Sequence, residues 1–468
     1  GTRPRVYYKK STDANAFVGN TSGDNGWKWV EASNAANPFN FTIDYTKIFG
    51  GSVSASNVIQ YFVVAQDLSP AANVSSNPSS GFVGTSVAAI TSAPTPNSYS
   101  ILSALPSVVY LGSGAGVPNY SSFSGAGGLF NAINTNVINS DVTVIVQNNT
   151  VELGTISLNQ FAPGYRIVVV PGAASVFKFE ITAGSSGDAM LELDGADDFF
   201  IDGRFNGSGN FLRFINNNDS LQKTGPVFKF INDSRRCRIG NCTLESNSFL
   251  HPLILIGATT GLYGNDSLVV DSCLFKNSTG TNPGTYNTAI GSAGSSTGIQ
   301  KNSSISIINN NFTGWGNNSS AIIDFSFGSM GDSLIVDSNR VYNNLQITSS
   351  PWAAIRLTGS GNNCTINFNS IGGGNPDRSG GPIFCNGTTT LIGIDVKSGN
   401  TIKSEIQGNI IANICSKNTN IQSGIIKGIN IQGGRLNIGT LVGNIIGGLA
   451  NPWDTVTTAS DNGWIDVS

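Results

Sequence analysis

Asp324, Arg356, Asp395 and Asn430 occupy one position in four successive apolar segments, IIDFSF, AIRLTG, GIDVKSG and GINIQGG. Two residues further on, Ser326, Thr358, Lys397 and Gln432 form a parallel set. If the segments stack as neighbouring strands, each step is ~4.8 Å and the two carboxylates lie ~9.6 Å apart. An inverting glycoside hydrolase places its acid and base on either side of the scissile bond at a similar spacing, ~6.5–9.5 Å. A calcium ion beside an arginine base is the other chemistry such a column could support, and no other cofactor or metal is expected. The catalytic candidates are therefore Asp324, Arg356, Asp395 and Lys397. The competing reading, which the residue types favour, is structural: opposite charges alternating on adjacent strands hold their register. A slip of one residue would turn the whole column inward.

The remaining reactive side chains offer less. His251 is the one histidine, which excludes any mechanism needing two, and it stands before a proline at the start of the strand-like HPLILIG. The six cysteines show no CxxC spacing, so a zinc site is not expected. The pair Asp197–Asp198 in GADDFFIDG reads as a turn before a strand. Trp315, in the loop FTGWGNN, and Trp352, after Ser-Ser-Pro, could each stack on a sugar ring.

An internal repeat must position these residues. IGNCTL (239–244), VDSCLF (270–275), IINNNF (307–312), VDSNRV (336–341), INFNSI (366–371), IQGNII (406–411) and LVGNII (441–446) share one frame. Each has an apolar residue, two small or polar ones, Cys or Asn, any residue, and a second apolar residue. The fourth positions, Cys242, Cys273, Asn310, Asn339, Asn369, Asn409 and Asn444, are 29 to 40 residues apart. FIDGRF (200–205) is a weaker copy, and a further apolar strand precedes each corner. Short strands repeating at this period mean a solenoid or a propeller. The variable length with a fixed corner favours the solenoid, a parallel β-helix in which one loop per coil grows outward. An inward Asn in a tight bend, able to adopt the left-handed conformation, can hydrogen-bond the coils above and below. Cys242 and Cys273 would then stand on consecutive rungs, close enough for a disulfide or stacked as inert thiols.

Residues 1–92 read differently. RVYYKK, DNGWKWV, PFNFTIDY and NVIQYFVVAQD alternate like strands of a small antiparallel β-sandwich, with Tyr61, Val63 and Ala65 on one face and Phe62 and Val64 on the other. The Ser- and Pro-containing stretch at 93–100 reads as a linker to the β-helix at 101–468. Composition agrees: 11% charged residues, 57 Gly among 468 and 39% hydrophobic residues exclude a helical bundle, a coiled coil and a disordered tail. A net charge of -3 without a basic cluster argues against nucleic acid, and no apolar run is long enough to span a membrane as a helix.

With these motifs in place, residues 101–468 resemble the right-handed parallel β-helices of the pectate-lyase-like superfamily. The segments DNGWKWV and IQYFVVAQD resemble Ig/fibronectin-like modules of large bacterial surface proteins. Together they are similar to adhesin-like cell-surface proteins exported by the type IX secretion system. The resemblance implies an all-β chain, secreted or attached at the cell surface. It also implies an adhesin, stalk or filament, with copies of itself, neighbouring modules of a longer chain or surface glycans as partners. A polysaccharide lyase, glycoside hydrolase or glycan-binding module is the alternative. The sorting domain that usually ends such proteins has no counterpart before DNGWIDVS, so a fragment of a longer chain is expected. The triplets Asp219–Leu221, Asp266–Leu268 and Asp332–Leu334, with Asp454-Thr455-Val456, resemble the O-glycosylation sequon of the same bacterial group. Ser220, Ser267, Ser333 and Thr455 would be the acceptors, unless these are Asp turns before strands.

Overall fold

A computed structural model describes residues 3–70, 72–181, 189–216, 225–246, 251–259, 261–278, 286–294, 297–315, 320–343, 346–347, 352–359, 361–386, 390–417, 426–447 and 464–466. The chain divides into two units, Gly1–Ala104 and Leu105–Ser468.

In the first unit, alternation of side chains builds one antiparallel sheet in the order Lys28–Glu31, Arg5–Lys10, Val58–Gln66, Val74–Asn77, with Asn97–Ser100 also paired to Val58–Gln66. Tyr7, Phe62 and Val64 face the hairpin Val83–Ser86/Ala89–Ser92 and bury Trp27, Val87 and Ile90 between the layers. Tyr8 and Ile59 point the other way and pack on Ile48. The stretch expected as a linker is in part this last strand. Tyr99 packs on the Ile59 face and its hydroxyl meets that of Tyr45 at 2.7 Å, which anchors a segment whose composition reads as spacer.

The second unit is a right-handed parallel β-helix. Three sheets run its length among the described residues, here called A, B and C, with twelve, ten and nine strands. A coil such as Ile335–Asp337, Arg340–Val341, Trp352–Leu357 contributes one strand to each. Inward Val, Ile, Leu and Phe fill the tube, and rings stack from coil to coil, Phe179 on Phe214 at 4.5 Å and Phe275 on Phe312 at 4.7 Å. Late coils add a fourth sheet of Gln346–Ile347, Ile383–Asn386 and Ile414–Lys417 in parallel, with Trp464–Asp466 antiparallel at its edge.

The helix Leu129–Thr135, which the β-rich pattern does not foretell, buries Leu129, Phe130, Ala132 and Ile133. It packs at the first coils, where Phe130 meets Phe123 and Phe199. Nearby, Glu152 is fully buried and accepts the amides of Phe123 and Ser124 and the hydroxyls of Ser124 and Thr150. Burial pushes its carboxyl above the ordinary range, opposed by these donors.

Candidate functional site

The alternation of sheet C places Ile323, Phe325, Ile355, Leu357, Ile394 and Val396 in the core. It turns Asp324, Arg356, Asp395 and Asn430 outward in direct register, each the neighbour of the next. Arg356 stands between the carboxylates, with Nη1 3.4 Å from Asp324 Oδ2 and Nε 3.3 Å from Asp395 Oδ2. Asn430 and Gln432 each donate to Asp395 Oδ1 at 2.8 Å. The column is largely covered, with side-chain exposures of 14% for Asp324, 15% for Arg356 and 5% for Asp395. Asp324 Oδ1 is buried without a hydrogen-bond partner.

The second set expected two residues on is broken at its end. A bulge after Val396 sets Lys397 opposite Gly433, so Gln432 is released to bind Asp395 while Lys397 points to solvent. On the core side of these strands a hollow of about 10 Å³ lies between Phe325, Leu357, Val396 and Leu436, room for one water at most. Among the described residues, no group of three or more His, Cys, Asp or Glu is placed to hold a metal ion. The guanidinium of Arg356 already occupies the position where a cation would neutralise the two carboxylates.

The same outward position continues down sheet C. Glu192 pairs with Lys229, Lys229 with Leu255, Leu255 with Gly291 and Gly291 with Asp324. Lys229 Nζ lies 2.7 Å from Glu192 Oε2. The charges along the face therefore run minus, plus, neutral, neutral, minus, plus, minus. The signal was in the sequence, as the middle residues of LEL and FKF in the strands Leu191–Asp194 and Phe228–Ile231. Sheet B carries a similar set, with Arg213 2.6 Å and Lys276 3.2 Å from the fully buried Glu245. Burial opposes ionisation there, but the two cations hold the Glu245 carboxyl below its usual range.

At the corner between sheets A and B, Asn310, Asn339, Asn369 and Asn409 are fully buried and Asn444 half-buried. The backbone N–H and Nδ2 of Asn310 both donate to Asn339 Oδ1, at 3.0 and 3.1 Å. Asn339 does the same to Asn369, Asn369 to Asn409 and Asn409 to Asn444. The second Nδ2 hydrogen of each goes back to a carbonyl such as Ile307 O, 2.8 Å from Asn339. Cys273 N donates to Asn310 Oδ1 at 2.9 Å, which joins the cysteine rungs to the ladder. The left-handed residue is the one before each corner, Asn241, Ser272, Asn309, Ser338 and Phe368, and not the Asn itself, as the sequence suggested. In the last copy the sheet A position belongs to Ile438, paired with Ile406, and Leu441 of LVGNII is 84% exposed.

Cys242 and Cys273 are free thiols, fully buried on adjacent rungs, donating to Gly240 O at 3.1 Å and Asp271 O at 3.3 Å. Burial, and then the neighbouring Cys273, push the Cys242 thiol well up. Trp315 and Trp352 are fully buried and stacked on each other at 4.8 Å, so neither ring is available to a sugar. His251 is exposed in a bend before Ile254–Ile256. Asp197 and Asp198 form the turn before Phe199–Asp202, where Arg236 bridges both carboxylates at 2.9 and 2.8 Å.

The Asp-Ser-Leu triplets at 266–268 and 332–334 make the turn from sheet C to sheet A. Ser267 and Ser333 are left-handed, Leu268 and Leu334 are buried, and the aspartates accept amides of the next coil, Ser303 N at 2.6 Å and Asn362 N at 2.7 Å. Ser267 is exposed, while Ser333 Oγ accepts from Asn363 Nδ2 at 3.2 Å. Ser220 and Thr455 lie outside the described residues.

No family model matches the chain, and no curated protein matches it. Among solved structures, a native GH136 lacto-N-biosidase from Eubacterium ramulus aligns with 70% of this chain and 68% of its own, at 10% identity and a TM-score of 0.34. The surface protein and adhesin PfbA of Streptococcus pneumoniae aligns with 65% of this chain and 89% of its own, at 13% identity and a TM-score of 0.27. Likenesses this loose do not bear on the site.

Proposed function

We propose that the β-helix is a stiff, non-enzymatic element of an extracellular surface protein, an adhesin or stalk. The observation that carries this reading is the outward charge column of sheet C. Its acids and bases alternate along the stack, are mostly covered, and are bonded to one another across coils. Groups held this way serve register, since a catalytic pair needs an accessible acid and a base free to take a proton. The test is incubation of the purified chain with a broad panel of neutral and acidic polysaccharides, scoring reducing ends and unsaturated products. No release is expected. Release that disappears in Asp395→Asn would overturn the reading.

A specific observation favours the second reading, a polysaccharide-active face: Asp324 Oδ1 lacks a partner and exposed Lys397 stands near the column's end. Under it, Lys397→Ala abolishes turnover while leaving the melting temperature unchanged. The O-glycosylation proposal rests on Ser267, whose hydroxyl is exposed at a turn. Intact mass of the protein from its natural source tests it, because a chain at its sequence mass carries no sugar. A stalk proposal further expects association between copies or with neighbouring modules, read by sedimentation of the natural assembly.

A further inference from the structure

Within the first unit, a cleft of about 400 Å³ opens between the edge strand Lys28–Glu31, the extended segment 17–20 and the hairpin tip at Ala88. We propose that this cleft binds an uncharged pyranose, one or two sugar units at the end of a glycan. Its volume falls in the range of small-ligand sites, ~300–1,000 Å³.

The lining chemistry selects the ligand. Phe17 and Trp29 supply the accessible aromatic surface, Tyr7 and Trp27 form the buried floor beneath them, and no lining residue is charged. Two of the cations close by are already engaged. Arg5 lies 3.6 Å from the Trp29 ring centroid and 2.8 Å from Glu31, and the Lys9 ammonium is bound to Asp13 O. A charged ligand would find no counter-charge among the lining residues. A sugar offers apolar C–H faces for the rings and hydroxyls for polar groups.

The polar groups on offer are those of the main chain: among the described residues the backbone N–H and C=O groups of residues 17–19 have no hydrogen-bond partner.

The rival occupant, an extended peptide added to the sheet edge, is disfavoured by the edge itself. Asn20 Oδ1 accepts Trp29 N at 2.8 Å, Asn20 Nδ2 donates to Trp29 O at 3.1 Å, and Ala16 O takes Trp27 N. The main-chain groups a peptide strand would use are occupied.

The test titrates the full chain with methyl glucoside, methyl galactoside and N-acetylglucosamine, following tryptophan fluorescence and the indole N–H resonances. Saturable shifts at Trp27 and Trp29 at millimolar sugar are expected, weakened about tenfold or more in Trp29→Ala. Because Trp29→Ala could loosen the sheet, Ala88→Trp fills the cleft from an exposed position, and it too should abolish the shifts. No response to any of the sugars overturns the proposal, as does binding that survives Ala88→Trp. A response only to an extended peptide library assigns the cleft to the rival and overturns it equally.

Discussion

Replacing Asn339 by Ala would test how far the corner ladder holds the β-helix together. The side chain makes four hydrogen bonds: it accepts the N–H and Nδ2 of Asn310, and donates to Ile307 O and Asn369 Oδ1. Two losses are absorbed, since Asn310 Nδ2 still donates to Val270 O and Asn369 Oδ1 still accepts Asn339 N. The Asn310 amide and the Ile307 carbonyl lose the partners that this side chain supplied. An orphaned buried group costs about 1–3 kcal/mol, so Asn339→Ala should destabilise by about 3–6 kcal/mol once the small void is included. Asn444→Ala is the internal control. That rung is half-buried, and water can take over its three bonds, so a loss of about 1 kcal/mol is expected. Urea unfolding measures both, and hydrogen exchange at the Asn310 amide should accelerate only in Asn339→Ala. If the two variants unfold at the same urea concentration, the ladder does not contribute as described.

Three further outcomes are expected. Glu245→Gln removes a buried charge from Arg213 and Lys276 and should cost about 3 kcal/mol at neutral pH. Its folded carboxyl titrates below its unfolded value of about 4.3, so this stability is present above that pH and lost as pH falls through the lower folded value. Acid denaturation of wild type and variant should therefore converge, and curves that stay parallel down to pH 2 would contradict it. Cys237, Cys242, Cys273 and Cys364 should resist thiol reagents in the native protein because all four are buried, and burial pushes up the thiols of Cys242, Cys364 and Cys237, the last to about 12. Peptide mapping that finds label on Cys242 or Cys273 before unfolding would refute this. Replacing Gly291 by Lys should destabilise, since a Cβ there meets Pro252 at 3.2 Å and Thr288 at 3.3 Å. A melting temperature equal to wild type would show that the neutral gap in the column is not steric.

The β-helix was legible in the sequence because its corner positions must recur. A residue such as Asn369 is fixed by partners 30 and 40 positions away, which leaves a period in the chain. The Asp324–Arg356–Asp395 register was legible for the same reason. Its meaning was less so, because burial and the Glu192–Lys229 pair lower down appear only when the coils are stacked. Trp315 and Trp352 follow the commoner fate of such residues, packed inside rather than open to a sugar, and their mutual stacking at 4.8 Å was not legible because it joins two different coils. Within the stretch read as a linker, Tyr99 packs into the first unit despite its Ser and Pro neighbours. Nothing periodic announced the helix Leu129–Thr135 or the cleft, which depend on single contacts.

The Asn ladder is also polar. Every rung from Cys273 to Asn409 gives its N–H to the carbonyl oxygen of the rung that follows, and never the reverse. The side-chain dipoles therefore add along the axis, and each finished coil presents a template of donors to the coil synthesised after it. The stack is thus directional: removing the Asn444 rung leaves only the Asn409 N–H and Nδ2 without their acceptor. A chain shortened by whole coils from its C-terminal side should therefore keep its remaining coils, because each coil contacts only its neighbours.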